Sequence, residues 1–325
     1  MKAWRVTGKG EPNEVMELAD VELGAPGPGE LVVKVAASGL ALPDVLLCRG
    51  VYPLTPPLPF TNGLEMVGTV TAAGPGAVTP VGTRVMGVAA FIMGTGSCAD
   101  FCKTYDVMTF PAEPTMNDAE AAAFTIAYHT AYCSLVRRAK GVSGETLLVH
   151  GGAGGTGFAA IQLGKALGMT VYATAGGAEK VALCRELGAD RAIDHTSEDW
   201  VAVVNAETGG RGVDIVFDPV GGEMFEKSTD CMASEARLLP IGFACGRWGV
   251  VSPQTLALKN ISIVGALGGG FPPEFMQSMH QHLLELYRQG KIRVIIDHKI
   301  GFDEIRNGVQ WVADRKVRGR VVAIH

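Results

Sequence analysis

From Thr146 to Leu163 the chain reads TLLVHGGAGGTGFAAIQL, with five glycines among the seven positions 151–157. Inside regular structure a glycine costs roughly 0.5–1 kcal/mol relative to alanine, so such a cluster belongs where side chains would obstruct something. A short β-rich run, TLLVH, precedes it. After it, Ala160, Leu163, Gly164 and Leu167 recur at the spacing of one helical face. Gly152, Gly154 and Gly157 match G-x-G-x-x-G, and the strand-turn-helix context makes that pattern a pyrophosphate cradle. The spacing assigns the tight turn to Gly152, the close approach to pyrophosphate to Gly154, and helix-on-strand packing to Gly157. Ala153, Gly155 and Thr156 complete the loop, whose helix offers free N–H groups to the anion.

Beyond the loop, strands and helices alternate: TVYATA, KVALCREL, RAID, EDWVAVVNA, VDIVFDPV, MFEKSTDCM, ARLLPIG and a last strand, ISIVGAL. Nearly continuous apolar strands of this kind suit a parallel sheet covered on both faces, so the fold class is α/β, doubly wound. Ahead of the loop the texture differs. ELVVKVAASG, GLEMVGTVTAAGPGA and VGTRVMGV are β-like pieces separated by Gly and Pro, and from Asp118 helix-length stretches begin. We therefore expect a β-rich domain over 1–117, a dinucleotide-binding domain over 118–265, and a tail over 266–325. That tail reads as two helices and a closing strand, GRVVAIH, that returns to the first domain.

Several function classes are disfavoured. The 28 Lys+Arg against 33 Asp+Glu leave a net charge of -5 with no dense basic run, so nucleic acid is not an expected partner. No apolar stretch approaches the ~18 residues of a membrane span, and the first residues lack the apolar core of a signal peptide. A cytoplasmic protein without a membrane partner is expected. The seven cysteines form no C-x-x-C pair and read as reduced, mostly packed thiols.

An NAD site commonly carries Asp or Glu at the end of its second strand, to bond the ribose 2′-hydroxyl. Here Thr174, Ala175, Gly176 and Gly177 occupy that end, and Lys180 follows on the next helix. A 2′-phosphate suits Lys180 better than a bare hydroxyl does, so the expected cofactor is NADP(H). Asp218, Gly221 and Gly222 of DPVGG end the fourth strand, Gly242 and Phe243 end the fifth, and Leu267 follows the sixth. Strand ends are where such sheets meet their ligands, which places these residues toward the nicotinamide.

On PGPGELVVKVAASGLALPDVLLCRGVYP, GLEMVGTV, HTAY, LLVHGGAGGTGFAAIQLGKALG, RELGAD, FDPVGG and RGRVVAI, the chain resembles the zinc-free quinone oxidoreductase (zeta-crystallin-like) family of medium-chain dehydrogenases/reductases. The likeness runs over essentially the whole length. It implies a GroES-like catalytic domain completed by the tail, a Rossmann domain, and cofactor and substrate in the cleft between them. It also implies a homodimer, commonly through the strand read here as ISIVGAL. For the 2′-phosphate it adds His195, where the family has a tyrosine, and Arg315.

Zinc-dependent relatives have Cys and His where this chain has Ala41 and Leu64, and neither side chain can ligate a metal. Cys98 and Cys102 stand alone where those relatives have a four-cysteine lobe. The reaction implied is therefore metal-free hydride transfer from NADPH to a small-molecule acceptor, a quinone by resemblance. Reduction of an α,β-unsaturated carbonyl or enoyl thioester, or NADPH binding without catalysis, are the alternatives. Tyr52 in RGVYP matches a substrate-cleft motif and is the leading donor to the developing oxyanion. Thr130 matches a position near the nicotinamide, with Tyr128 second, while His129 reads as a satisfied core histidine. Many members have Asn at the position of Ala41, and Asp44 nearby reads as a turn residue that bonds backbone N–H groups.

Overall fold

The computed structural model describes all 325 residues. They form two compact units, Met1–Ile126 with Val294–His325, and Ala127–Arg293. The expected divisions near 117 and 265 thus fall at 126/127 and 293/294.

In the first unit β1 (Lys2–Val6), a short helix α1 (Pro12–Val15) and β2 (Met16–Asp20) lead to β3 (Glu30–Leu40) and α2 (Leu42–Cys48). There follow β4 (Phe60–Thr61), β5 (Glu65–Ala73), β6 (Arg84–Ala89), β7 (Phe101–Pro111) and α3 (Asp118–Ala121). β1 pairs antiparallel with β2 and β4. β3, β5, β6 and β7 form an antiparallel run in which β7 pairs back onto β3, so the sheet curls on itself. Alternate residues of these strands, Leu31, Val33, Val35, Met66, Val70 and Val85, point inward and form its core.

In the second unit α4 (Thr125–Tyr132), which begins in the first unit, continues as a π-helical stretch, Cys133–Arg138. The helical run expected from Asp118 is therefore three pieces, with breaks between α3 and α4 and at Cys133. The unit then builds β8 (Thr146–Val149), α5 (Gly155–Ala166), β9 (Thr170–Ala175), α6 (Ala178–Glu186), β10 (Arg191–Asp194) and α7 (Trp200–Glu207). β11 (Val213–Asp218), α8 (Gly222–Ser228), β12 (Met232–Pro240), α9 (Pro253–Lys259), β13 (Ser262–Ile263) and α10 (Pro273–Arg288) complete it. The sheet order is β10-β9-β8-β11-β12-β13, parallel throughout. The order reverses between β8 and β11, and the glycine loop leaves β8 there, at the switch point of a doubly wound sheet. The last strand is shorter than the sequence suggests. Only Ser262 and Ile263 pair, both exposed, because this edge has one neighbour and the glycine-rich run GALGGG follows. α10 stays in this unit rather than the tail because it buries Met276, Met279, Leu283 and Leu284, and Met279 meets Cys133 beyond α4.

The chain returns to the first unit as β14 (Ile296–Gly301), α11 (Ile305–Ala313) and β15 (Arg320–Ile324). β15 lies antiparallel to β3, with Val321 opposite Leu40, as the closing strand GRVVAIH was expected to do.

Candidate cofactor and acceptor site

The glycine loop is built from contacts that side chains would break. Gly151 adopts φ +59, so the left-handed turn sits there and not at Gly152 as the motif suggested. Gly152 is required by packing instead, since a Cβ would lie 2.8 Å from Cys184 Sγ and 2.9 Å from Ile161 Cδ1. Its N–H donates to Thr174 O at 2.9 Å and ties the loop to β9. At Gly157 a Cβ would stand 2.2 Å from Gly151 O, which only glycine tolerates. Gly154 is exposed at the N-cap of α5, and a Cβ would meet only Gly151 O, at 3.2 Å. Open space before helix N–H groups is what a pyrophosphate needs. Ala153 is buried beneath the loop, while Gly155 and Thr156 begin α5, half-exposed.

His150, for which no role was expected, anchors the loop from below. Its ring is buried, with Nδ1 2.9 Å from Thr174 Oγ1, Nε2 2.9 Å from Ser228 Oγ, and its edge against Trp200. Burial lowers its pKa to about 3, so it stays neutral. The missed signal was local: an imidazole between an apolar strand and a glycine turn needs partners on neighbouring strands.

At the end of β9 Gly176 lies under the His195 imidazole, since a Cβ there would be 3.2 Å from Nε2. Lys180 stands in the first turn of α6, half-buried. The structure therefore brings Gly176 and His195 together at one strand end, with Lys180 on the helix that follows. Arg315 belongs to the first unit, in a left-handed turn after α11 with φ +58.

Asp218 is taken up by its own loop. Oδ1 accepts from Val220 N at 2.7 Å and both oxygens from Gly221 N at 3.1 Å, while burial raises its pKa to about 6. It shapes the DPVGG turn, in which Gly221 has φ +76 and a Cβ would sit 2.5 Å from Arg247 O. Gly242 and Phe243 follow β12, with Phe243 buried against Trp248, and Leu267 is exposed after β13. A cavity of about 510 Å³ opens beside these strand ends, lined by Gly221, Gly222, Cys245 and Arg247 among others.

Of the catalytic candidates, Thr130 is half-buried, its Oγ1 2.8 Å from where a Cβ of Gly268 would stand. Tyr128 requires correction. Its side chain is fully buried, its hydroxyl donates to Arg293 O at 2.8 Å and accepts from Gln162 Nε2 at 2.9 Å, and burial raises its pKa. A hydroxyl so enclosed serves packing and not an acceptor. His129 is a core residue as expected, buried with Nε2 3.0 Å from His280 Nδ1. Tyr52 lies in the first unit, half-buried against Phe91, and loss of hydration raises its pKa. Asp44 beneath it is fully buried, and its Oδ2 accepts from Ala41 N at 2.7 Å, the backbone-binding role expected of it.

Residues 155–298 match the model of a zinc-binding dehydrogenase, and residues 27–134 that of an alcohol dehydrogenase GroES-like domain. Zinc does not fit the side chains present. Ala41 and Leu64 are apolar, Cys98 and Cys102 are buried free thiols whose pKa values burial raises, and no three His, Cys, Asp or Glu converge. No helix is long and apolar enough to cross a membrane.

A rat quinone oxidoreductase-like protein 2 is 33% identical over 318 residues, 96% of this chain and 89% of the relative. A rat quinone oxidoreductase is 29% identical, covering 85% of this chain and 83% of that protein. Among solved structures, mycobacterial Rv1454c complexed with NADPH matches over the full length of both chains, with TM-score 0.89 and 31% identity. A Pseudomonas syringae quinone oxidoreductase matches with TM-score 0.89 and 28% identity, over 100% of this chain and 99% of that one. Glycine loop, switch point, β-rich unit and relatives agree: the chain belongs to the quinone oxidoreductase family of the medium-chain dehydrogenase/reductase superfamily.

Proposed function

We propose that this protein is an NADPH-dependent, zinc-independent oxidoreductase that delivers hydride to a quinone. The observation that carries this reading is the glycine-rich corner from Gly151 to Gly157, at the sheet's switch point, beside a second strand that ends without a carboxylate. Gly154 and the start of α5 would hold the pyrophosphate, and Lys180 and His195 the 2′-phosphate. The NADPH complex of Rv1454c supports the choice of cofactor. When bound, the reduced nicotinamide supplies hydride to an electron-poor acceptor. Thr130 would orient the carboxamide, and the Tyr52 hydroxyl would donate to the oxygen that gains charge.

Absorbance at 340 nm with NADPH and a panel of quinones and enals tests the reading. Turnover with quinones supports it. Turnover confined to enals assigns the alternative acceptor, and binding without turnover removes the enzyme.

We also propose that the chain forms a homodimer through the β13 edge. Ser262 and Ile263 pair on one side only, α9 buries no residue, and Val250 and Leu258 nearby are 77% and 76% exposed. An unpaired edge flanked by apolar side chains is a pairing template. Sedimentation should give twice the chain mass, and Ile263→Lys should give a monomer.

A further inference from the structure

Two loops of the first unit meet at Tyr52, and both show apolar side chains to solvent. Residues 51–60 read VYPLTPPLPF and residues 90–97 read AFIMGTGS, with no charged residue in either. The loops are joined at two points: the Tyr52 and Phe91 ring centroids lie 6.1 Å apart, and Thr61 N donates to Gly94 O at 3.0 Å. Val51, Leu54, Leu58, Ile92 and Met93 are 41% to 63% exposed. Exposed aliphatic residues scattered singly need no explanation, but five on two joined loops do.

We propose that these loops form a lipophilic lip that takes a hydrocarbon tail carried by the quinone acceptor, while the quinone ring meets the Tyr52 hydroxyl. This rests on the quinone reading above and narrows it to tailed quinones.

The apolar surface is continuous with the reacting end. Val51 and Leu54 flank Tyr52 in the chain, and Phe91, whose ring lies against that of Tyr52, leads directly into Ile92 and Met93. The first loop is also stiff. Pro53, Pro56, Pro57 and Pro59 fix its backbone, and Thr55 N donates to Tyr52 O at 3.1 Å, so its apolar side chains stay presented and binding a tail costs little ordering. Cations stay at the root of the lip. Arg49 pairs with Glu11 at 2.8 Å, the Lys9 stem lies against Gly50, and Arg5 donates to the Pro59 carbonyl. An enoyl thioester on a phosphate-bearing carrier would need charged partners along its path, whereas a neutral hydrocarbon needs apolar surface alone.

A matched pair of acceptors tests the proposal: 2,3-dimethoxy-5,6-dimethyl-1,4-benzoquinone, and the same ring with a decyl chain in place of one methyl group, so that ring electronics stay level. For the natural chain we expect kcat/KM to be about tenfold higher for the decyl quinone, through KM and not kcat, because the tail adds binding remote from the reacting atoms. Leu54→Ser and Met93→Ser, one on each loop, should each lower the ratio between the two acceptors by about threefold or more. Val78→Ser, 84% exposed in the turn between β5 and β6, should keep the natural ratio. A ratio near one in the natural chain, a ratio unmoved in both lip variants, or an equal fall in Val78→Ser overturns the lip and leaves the quinone reading standing. If the ratio is near one and phosphatidylcholine vesicles pellet the natural chain but not Met93→Ser, the lip belongs to a bilayer and not to the acceptor. No turnover of either quinone overturns both readings.

Discussion

Arg320 Nη2 donates to Glu65 Oε2 at 2.5 Å, and both side chains are closed off from solvent. The pair joins β15 to β5 across β3, where a Cβ at Gly39 would stand 2.8 Å from that Nη2. Glu65 also accepts from Ile126 N at 2.8 Å, so one carboxylate holds the returning tail and the start of α4. Removing one member of a buried pair strands the other charge, at a cost of about 3–5 kcal/mol. Arg320→Leu should therefore lose about that much in urea unfolding, and adding Glu65→Gln should recover a large part of it. Equal losses in the single and double variants would contradict the pairing.

Two buried groups should tilt stability with pH in opposite directions. Burial raises the Asp44 pKa to about 7, against an ordinary value near 4, so the fold binds this proton more tightly than the unfolded chain. Its contribution is fully present below about pH 4 and is lost as pH rises through 7. His150 is the reverse: its folded pKa of about 3 makes its contribution present above about pH 6.5 and lost as pH falls toward 3. Asp44→Asn should make the unfolding free energy rise more steeply with pH between 4 and 7 than in the natural chain. His150→Gln should shift the slope the other way, and unchanged slopes would contradict both assignments.

Within the glycine loop, fold and ligand should separate. Gly157→Ala forces a Cβ to 2.2 Å from Gly151 O and should lower the melting temperature as well as abolish NADPH binding. Gly154→Ala meets only Gly151 O, at 3.2 Å, and should melt near the natural temperature while NADPH affinity falls tenfold or more, because the methyl group intrudes on the pyrophosphate. Matching melting losses in the two variants would refute the distinction.

The two tyrosines should part in the same manner. Tyr128→Phe removes one hydrogen bond from each of Arg293 O and Gln162 Nε2, which still pair with each other at 3.1 Å, a cost of about 0.5–1.5 kcal/mol in stability with kcat little changed. Tyr52→Phe should lower kcat about 100- to 1000-fold, as loss of an oxyanion donor does, with the fold intact. Stopped-flow turnover alongside thermal melts checks both, and a reversed pattern would exchange their roles.

The parallel sheet was legible because β8, β9 and β11 are nearly unbroken apolar runs before a helical period, whereas β10, RAID, is apolar only at Ala192 and Ile193. The closing strand showed itself in the same way. β13 misled because ISIVGAL carries the composition of a strand, whereas pairing depends on neighbours, and an edge offers one. Tyr128 misled for a related reason. Its place next to His129 and Thr130 in sequence says which helix carries it but not which face is buried, and α5 decides that by setting Phe158 and Gln162 against it. His150 acts through partners on neighbouring strands or turns, beyond the reach of a local pattern.

Fluorescence titration of the protein with NADPH, followed by NADH under the same conditions, probes the glycine corner most directly. We expect saturable one-to-one binding with NADPH the tighter ligand, and loss of that preference in Lys180→Ala. Well-folded protein that gives no signal with either nucleotide would contradict the cofactor site and the reductase built on it.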